Sequence, residues 1–423
     1  MKALIITYYW PPAGGSGVQR WLKFVKYLSD FGIEPVVYTV ENPEYALVDE
    51  TLQSEVPKSV EILKQPIWEP NNILSKFKSK QQQSSAGFLN PNPSFFERKM
   101  QYIRANYFIP DARKFWIKPS VKYLSAYIQN NDIDVVISTG PPHSTHLIGM
   151  ALKDKFAVKW IADFRDPWTD IDYFHTLPLT SRSKQKHLAL EQTVLKKADA
   201  VIVVGKTMKE NYKKFNKNIH VISNGFDTIT EAFKGGLDQK FTLTHVGLMN
   251  ADRNPIILWE ALSELIESNS EFAADIQVKL IGKVDDEVRR SIREEKLESK
   301  MQWIDYLPHK QVMEHQRAAQ VLLLAVNKVP AAKGIVTGKI FEYLQAERPV
   351  LAIAPEDGDL AEIINNSNAG TVVDFEDKER LKKTIKNLYQ QFKLGDLNVA
   401  SKHIDIYHRK NLTGQLAKLI KAL

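Results

Sequence analysis

At 423 residues, 43% apolar and 25% charged, the chain is too long for one ordinary core and too apolar for a disordered polymer, so two globular domains are expected. The absence of cysteine excludes disulfides, thiolate chemistry and zinc–thiolate sites, and fits a reducing compartment. The formal net charge of +7 is concentrated between Lys64 and Lys122, where eleven bases face three acids.

Met1 to Thr7 reads MKALIIT, and Tyr8, Tyr9, Trp10 and two prolines stop that apolar run short of a signal peptide or membrane span. It predicts a first strand at Ala3–Thr7. Val18–Phe31, with an apolar stripe at Trp21, Phe24, Val25 and Leu28, predicts a helix, and Glu34–Val40 a second strand. A long insert, from about 42 to 119, then interrupts the pattern. Its core segment, 64–122, mixes Lys76, Lys78, Lys80, Arg98 and Lys99 with Trp68, Phe77, Phe95, Phe96, Tyr107 and Trp116. Such a mixture suits the headgroup layer of an anionic membrane. The plain alternative is a solvated face over an aromatic core. No nucleic-acid module accompanies the patch, so no nucleic-acid partner is expected.

Alternation resumes with strands at Val135–Ser138, Lys159–Asp163 and Ala200–Val204 and helices at His143–Lys155 and Ser183–Ala198. A second series brings strands at Thr242–Val246, Gln277–Ile281, Met301–Ile304, Val321–Ala325, Val350–Ala354 and Thr371–Asp374, separated by helices. The expected fold class is α/β: two Rossmann-like, doubly wound domains facing each other across a cleft. The first is expected at 1–222 with the basic aromatic insert at 64–122, the second at 223–400. A C-terminal helix at 401–423 is expected to pack back on the N-terminal domain.

In open α/β sheets ligands sit beyond the carboxyl ends of the strands, and the residues there are rich in chemistry. Gly14 and Gly15 follow the first strand, where glycine lets backbone approach a ligand and helix amides can face an anion. Gly15-x-Gly17 is a poor dinucleotide fingerprint, because Arg20 stands where its third glycine belongs. His143 and His146 follow the strand ending at Ser138. Asp163, Arg165 and Asp166 stand at another strand mouth, where two carboxylates flanking an arginine suit a sugar or simply fix a turn. Asn224 opens a turn at the domain crossing, Gly247 ends a strand, and Arg253 begins a helix. Gly338 and Lys339 open the helix of TGKIFEY, a ready phosphate site, and Glu342 is placed to accept hydrogen bonds from hydroxyls beyond the phosphates. Asp170 and Asp172 are acids at the spacing of a metal signature, but nothing completes an octahedral shell, so no metal is expected.

Taken in order, YYWPPAGGSG, PPHSTH, DFRDPW and TGKIFEYL resemble the GT-B glycosyltransferases of the family 4 type, a likeness that runs from end to end. The resemblance implies a retaining sugar transfer from a nucleotide-sugar donor, without metal or other cofactor, onto a glycan or lipid-linked acceptor in cell-surface glycan biosynthesis. It implies a cytoplasmic enzyme, peripheral on the inner face of the membrane. It makes Gly14, Gly15, Asn224, Gly247, Arg253, Gly338, Lys339 and Glu342 donor-binding, with Glu342 on the ribose. Asp163, Arg165, Asp166 and His146 become reaction-centre residues. Two positions depart from the family pattern: Gly334 stands where a first glutamate belongs, and Leu248 where a cation follows Gly247. A nucleotide-sugar 2-epimerase of the same fold, and an idle nucleotide-sugar-binding partner, are the alternative readings.

Overall fold

The computed structural model describes residues 1–43, 45, 47–69, 94–227 and 235–423. These form two compact units, one of Met1–Asn224 with Arg409–Leu423 and one of Gly225–His408.

In the first unit the described strands are β1 (Lys2–Ile6), β2 (Glu34–Val40), β3 (Glu61–Gln65), β4 (Val135–Gly140), β5 (Lys159–Phe164), β6 (Ala200–Val203) and β7 (Ile219–Val221). They pair in parallel in the order β3-β2-β1-β4-β5-β6-β7, so the strand order reverses between β1 and β4. Successive side chains alternate faces. Leu4, Ile6, Val136 and Ala162 therefore meet Leu152 and Leu195 on one side. Ala3, Ile5, Ile137 and Ile161 meet Trp21, Val25 and Leu28 on the other. The helix Arg409–Ala422 returns to this second face, where Leu412, Leu416 and Ile420 are buried. Burial on both faces is why these strands read as unbroken apolar runs.

The second unit repeats the plan with β8 (Phe241–Val246), β9 (Ile276–Ile281), β10 (Met301–Ile304), β11 (Val321–Ala325), β12 (Val350–Ile353) and β13 (Gly370–Val373), ordered β10-β9-β8-β11-β12-β13. Here the order reverses between β8 and β11.

The insert divides physically. β3 was not expected from its EILKQ sequence, whose single buried residue, Leu63, gives little strand signal; pairing with β2 makes it a strand. Trp116 is fully buried and stacks on Tyr38 at 5.1 Å. Glu69, also buried, accepts from Tyr8 Oη (2.9 Å) and pairs its charge with Arg113, whose Nε lies 2.8 Å from Oε1. That part is ordinary core. The helix Phe95–Tyr107, closed at its start by a reciprocal Ser94–Glu97 capping box worth about 1 kcal/mol, buries none of its side chains. Phe95 is 85% and Tyr107 66% exposed. Lys76, Lys78, Lys80 and Phe77 lie outside the described residues. Among the described residues no helix is long and apolar enough to cross a membrane.

Candidate functional site

In the first unit the chemistry gathers where β1, β4 and β5 end. Gly14 donates its amide to Leu47 O (2.9 Å), and a β-carbon there would lie 2.9 Å from Leu47 Cγ. Gly15 caps the helix Ser16–Leu28 at φ +92°, a conformation that favours glycine. The next glycine proves equally constrained. A β-carbon on Gly17 would sit 2.1 Å from Nη1 of Arg165, so the helix needs glycine there to admit the guanidinium. Arg165 Nε also donates to Asp166 Oδ2 (3.2 Å), and the Asp166 side chain remains 44% exposed.

Asp163 behaves differently from Asp166. It is fully buried and accepts from Arg20 Nη2 (2.9 Å), Trp21 Nε1 (2.7 Å) and Thr139 Oγ1 (2.8 Å). Burial pushes its carboxyl up, but the Arg20 charge and these hydrogen bonds outweigh burial and hold it below the usual carboxylate range. A carboxylate so fully engaged holds a framework together. Arg20 continues from Asp163 to Ile222 O (2.9 Å), Ser223 O (2.8 Å) and Asn224 Oδ1 (3.3 Å). Asn224 thus belongs to the first unit, its amide oxygen accepting from Arg20, and not to the expected donor-side domain.

His146 is fully buried, and burial takes its imidazolium down to about 3 against a smaller opposing pull from Asp163. It is neutral at any physiological pH. Trp160 Nε1 donates to Ser138 Oγ (2.9 Å), and the same oxygen lies 2.9 Å from His146 Nδ1, a hydrogen bond that either tautomer of the ring can make. His146 Nε2 has no hydrogen-bond partner among the described residues and faces Gly140, whose β-carbon would lie 2.6 Å from it. His143, stacked on Trp168 at 4.5 Å, brings a second unpartnered nitrogen, Nδ1, to the same glycine.

The second unit builds its site where β8 and β11 end. Gly247, at φ +98°, lies under the Lys339 side chain; a β-carbon there would fall 2.7 Å from Cε and 2.9 Å from Nζ. Gly282, at φ +112°, is in turn pressed against the Gly247 backbone, its own β-carbon 3.1 Å from the Gly247 oxygen. Gly338 caps the helix Lys339–Ala346. The Lys339 ammonium is pulled down to about 7, by burial first and then by Arg253, against the upward pull of Glu342. Arg253 Nη1 donates to Leu248 O (2.9 Å). Glu342 Oε2 accepts from Gln316 Nε2 (3.1 Å), and Tyr343 Oη accepts from Val246 N (3.1 Å) while donating to Leu323 O (3.3 Å). Gly334 closes a short 3-10 turn, Ala332–Gly334, before this helix.

Of the residues expected from sequence, Gly247, Arg253, Gly338, Lys339 and Glu342 are thus brought together in the second unit. Gly14, Gly15, His146, Asp163, Arg165, Asp166 and Asn224 lie in the first. Sequence reasoning missed Arg20, Gly17, Gln316 and His245. Arg20 had a signal, since a lone arginine on the apolar stripe beside Trp21 needs a buried anion.

Two family models match the chain: Glycosyltransferase Family 4 over residues 88–229 and Glycosyl transferases group 1 over residues 240–391. No curated protein sequence matches it. Solved structures do match across its whole length. Sucrose-phosphate synthase from Thermosynechococcus elongatus superposes with a TM-score of 0.61 at 14% identity, covering 100% of this chain and 98% of that one. WaaG, a glycosyltransferase involved in lipopolysaccharide biosynthesis, gives 0.58 at 14% identity with both chains covered in full. A putative UDP-N-acetylglucosamine 2-epimerase from Listeria monocytogenes gives 0.55 at 13%, covering 100% and 96%. At such identities the structures share the fold: two parallel-sheet Rossmann-like domains, as in the GT-B glycosyltransferases.

Proposed function

This chain belongs to the GT-B glycosyltransferases of the family 4 type, and from that premise we propose that it moves a sugar from a nucleotide-sugar donor to a lipid-linked or polysaccharide acceptor, with retention and without metal. The observation that carries this reading is the Lys339 ammonium lying over Gly247 at the ends of β8 and β11, with Arg253 and Glu342 acting on it. As the bond from anomeric carbon to phosphate breaks, negative charge grows on the diphosphate. Lys339, Arg253 and the amides after Gly338 stabilise it. Glu342, steadied by Gln316, accepts from the ribose hydroxyls.

On the first unit, Asp166 with Arg165 orients the acceptor, and His146, fully buried, supports the turn at Gly140 from beneath. Gly15 brings its backbone amide to a phosphate, while Gly14, whose own amide is held by Leu47 O, shapes the loop that presents it. Asp163 and Asn224 act through Arg20, as positioning residues. The departing phosphate takes the acceptor proton on the same face, so no general base of fixed charge is required.

The test is a panel of nucleotide sugars scored by thermal stabilisation, followed by transfer to a lipid-diphosphate sugar. Stabilisation by one donor and a product of retained configuration are expected. Epimer formation from donor alone would replace this reading with the 2-epimerase. A finer check concerns the ribose contact: at pH 5.5, below the range in which Lys339 titrates, Glu342→Gln should bind UDP or GDP roughly tenfold more weakly while inorganic pyrophosphate affinity stays level. Equal losses for both probes would remove the ribose role.

The enzyme works as a peripheral protein on the inner membrane face in this reading. Support comes from the helix Phe95–Tyr107, where Phe95, Phe96 and Tyr107 are exposed beside Arg98 and Lys99. Apolar rings with bases match an anionic headgroup layer. The double variant Phe95→Ser/Phe96→Ser should sediment with phosphatidylglycerol vesicles at least about tenfold less well. Undiminished sedimentation would leave the face an ordinary solvated one.

A further inference from the structure

Lys339 does not stand alone over Gly247. His245, the fifth residue of β8, is fully buried two residues before that glycine. Its Nδ1 lies 3.2 Å from Leu323 O, an atom that only accepts. The ring must therefore carry its proton on Nδ1 to make that bond, and Nε2 is left as a lone pair. Nε2 lies 3.4 Å from Lys339 Nζ. The ammonium donates along this line.

We infer that His245 is the positioning residue of the donor site, a neutral acceptor beneath Lys339 that holds the ammonium, protonated, over Gly247 and toward a bound diphosphate. The inference rests on the donor-site reading above and deepens it. The geometry is over-determined. Tyr343 Oη donates to the same Leu323 oxygen and accepts from the Val246 amide, so carbonyl, phenol and imidazole are fixed together. The missing β-carbon of Gly247 leaves the space into which the lysine tip is pressed.

A neutral acceptor matters here because the other charged neighbours pull against each other. Arg253, from the turn after β8, disfavours a second cation, while Glu342, one turn along the lysine's own helix, favours it. Tyr343, between them, stays a neutral phenol, raised by burial. His245 itself is kept neutral by burial, then by Lys339 and Arg253, against the smaller pull of the Leu323 and Leu248 carbonyls. With Lys339 titrating at about 7, loss of one acceptor is felt within the physiological range. The sign is fixed: removing the acceptor disfavours the charged lysine, so anion binding fails at a lower pH.

The experiment measures inorganic pyrophosphate affinity by calorimetry from pH 5.5 to 8.5 for the full chain and for His245→Asn, which keeps the Leu323 bond and loses the Nε2 acceptor. The probe's own ionisation is common to both proteins and cancels in the ratio of their dissociation constants. That ratio is expected near one at pH 5.5, rising to about tenfold at pH 8.5. His245→Gln, whose amide oxygen reaches the place of Nε2, should bring it back to within about threefold at every pH. A ratio independent of pH, or a glutamine variant no better than asparagine, overturns the inference. If His245→Asn does not fold, the glutamine variant alone decides, because a pH-dependent deficit in it contradicts the acceptor role. Lys339→Ala separates the two levels. Unchanged pyrophosphate affinity there removes the donor site itself, whereas weakened affinity with a flat His245 ratio removes only the histidine's part.

Discussion

Lys339→Ala binds nucleoside diphosphate about 100-fold more weakly than the parent chain and loses transfer activity in step. The expectation follows from where the ammonium sits. It is partly buried against Gly247, has Arg253 nearby, and lies beside the first turn of a helix whose amides also favour an anion. Truncating one partner of a desolvated charge pair costs about 2–5 kcal/mol, and each 1.4 kcal/mol is about tenfold in affinity. The alanine also removes the tip pressed over Gly247, so Gly247→Ala becomes easier to accommodate in that background than in the parent. Affinity in the parent falls as pH rises through about 7, where Lys339 loses its charge; the alanine variant lacks that step. Calorimetry with UDP and GDP at pH 6 and 8 measures both the loss and its pH dependence. Full affinity in the variant at pH 6 would contradict the site.

Asp163→Ala lowers the stability of the first unit by about 3–5 kcal/mol, the cost of leaving a buried guanidinium without its anion. Arg20, 5% exposed, would keep only its bonds to Ile222, Ser223 and Asn224, while Trp21 and Thr139 lose their shared acceptor. The double replacement Arg20→Met/Asp163→Leu should recover part of the loss, because two charges leave together while Trp21 Nε1 and Thr139 Oγ1 still lack their acceptor. Urea midpoints for the three variants and the parent measure this, and equal midpoints for parent and single variant would refute it. The pH dependence has a definite sign. Asp163 has a depressed folded pKa, so its contribution is complete above the unfolded value of about 3.9 and fades as pH falls through the folded one. A catalytic carboxylate would show the opposite profile, with activity lost and stability kept.

Much of this was legible in the sequence because parallel strands buried on both faces leave long apolar runs. The residues immediately after them can then be named with some accuracy. Gly247, Lys339 and Glu342 were found that way, each at a strand mouth or the helix start beyond it. The contacts that decide their roles were not legible. Asp163 meets Arg20 and Trp21 across more than 140 positions of sequence, and nothing local distinguishes it from Asp166, three residues on and 44% exposed. Arg20 read as a failed third glycine when it was the counter-ion of a buried acid. His146 read as a cleft histidine, and the complete burial that keeps it neutral comes from contacts no local pattern shows. β3 was lost for another reason: its five residues bury only Leu63 and owe their conformation to the neighbouring strand.

The nesting of Gly282 against the Gly247 backbone, and of Gly247 under Lys339, has a bearing on how this surface can vary. Neither glycine is fully buried, so an exposure-based forecast would rate both as tolerant. Yet each is blocked by the next layer and held at positive φ. In a saturation library the two positions should drop out together, while Leu248 and Lys283, the neighbours on the solvent side, accept substitution, so that two gaps mark the loop from outside.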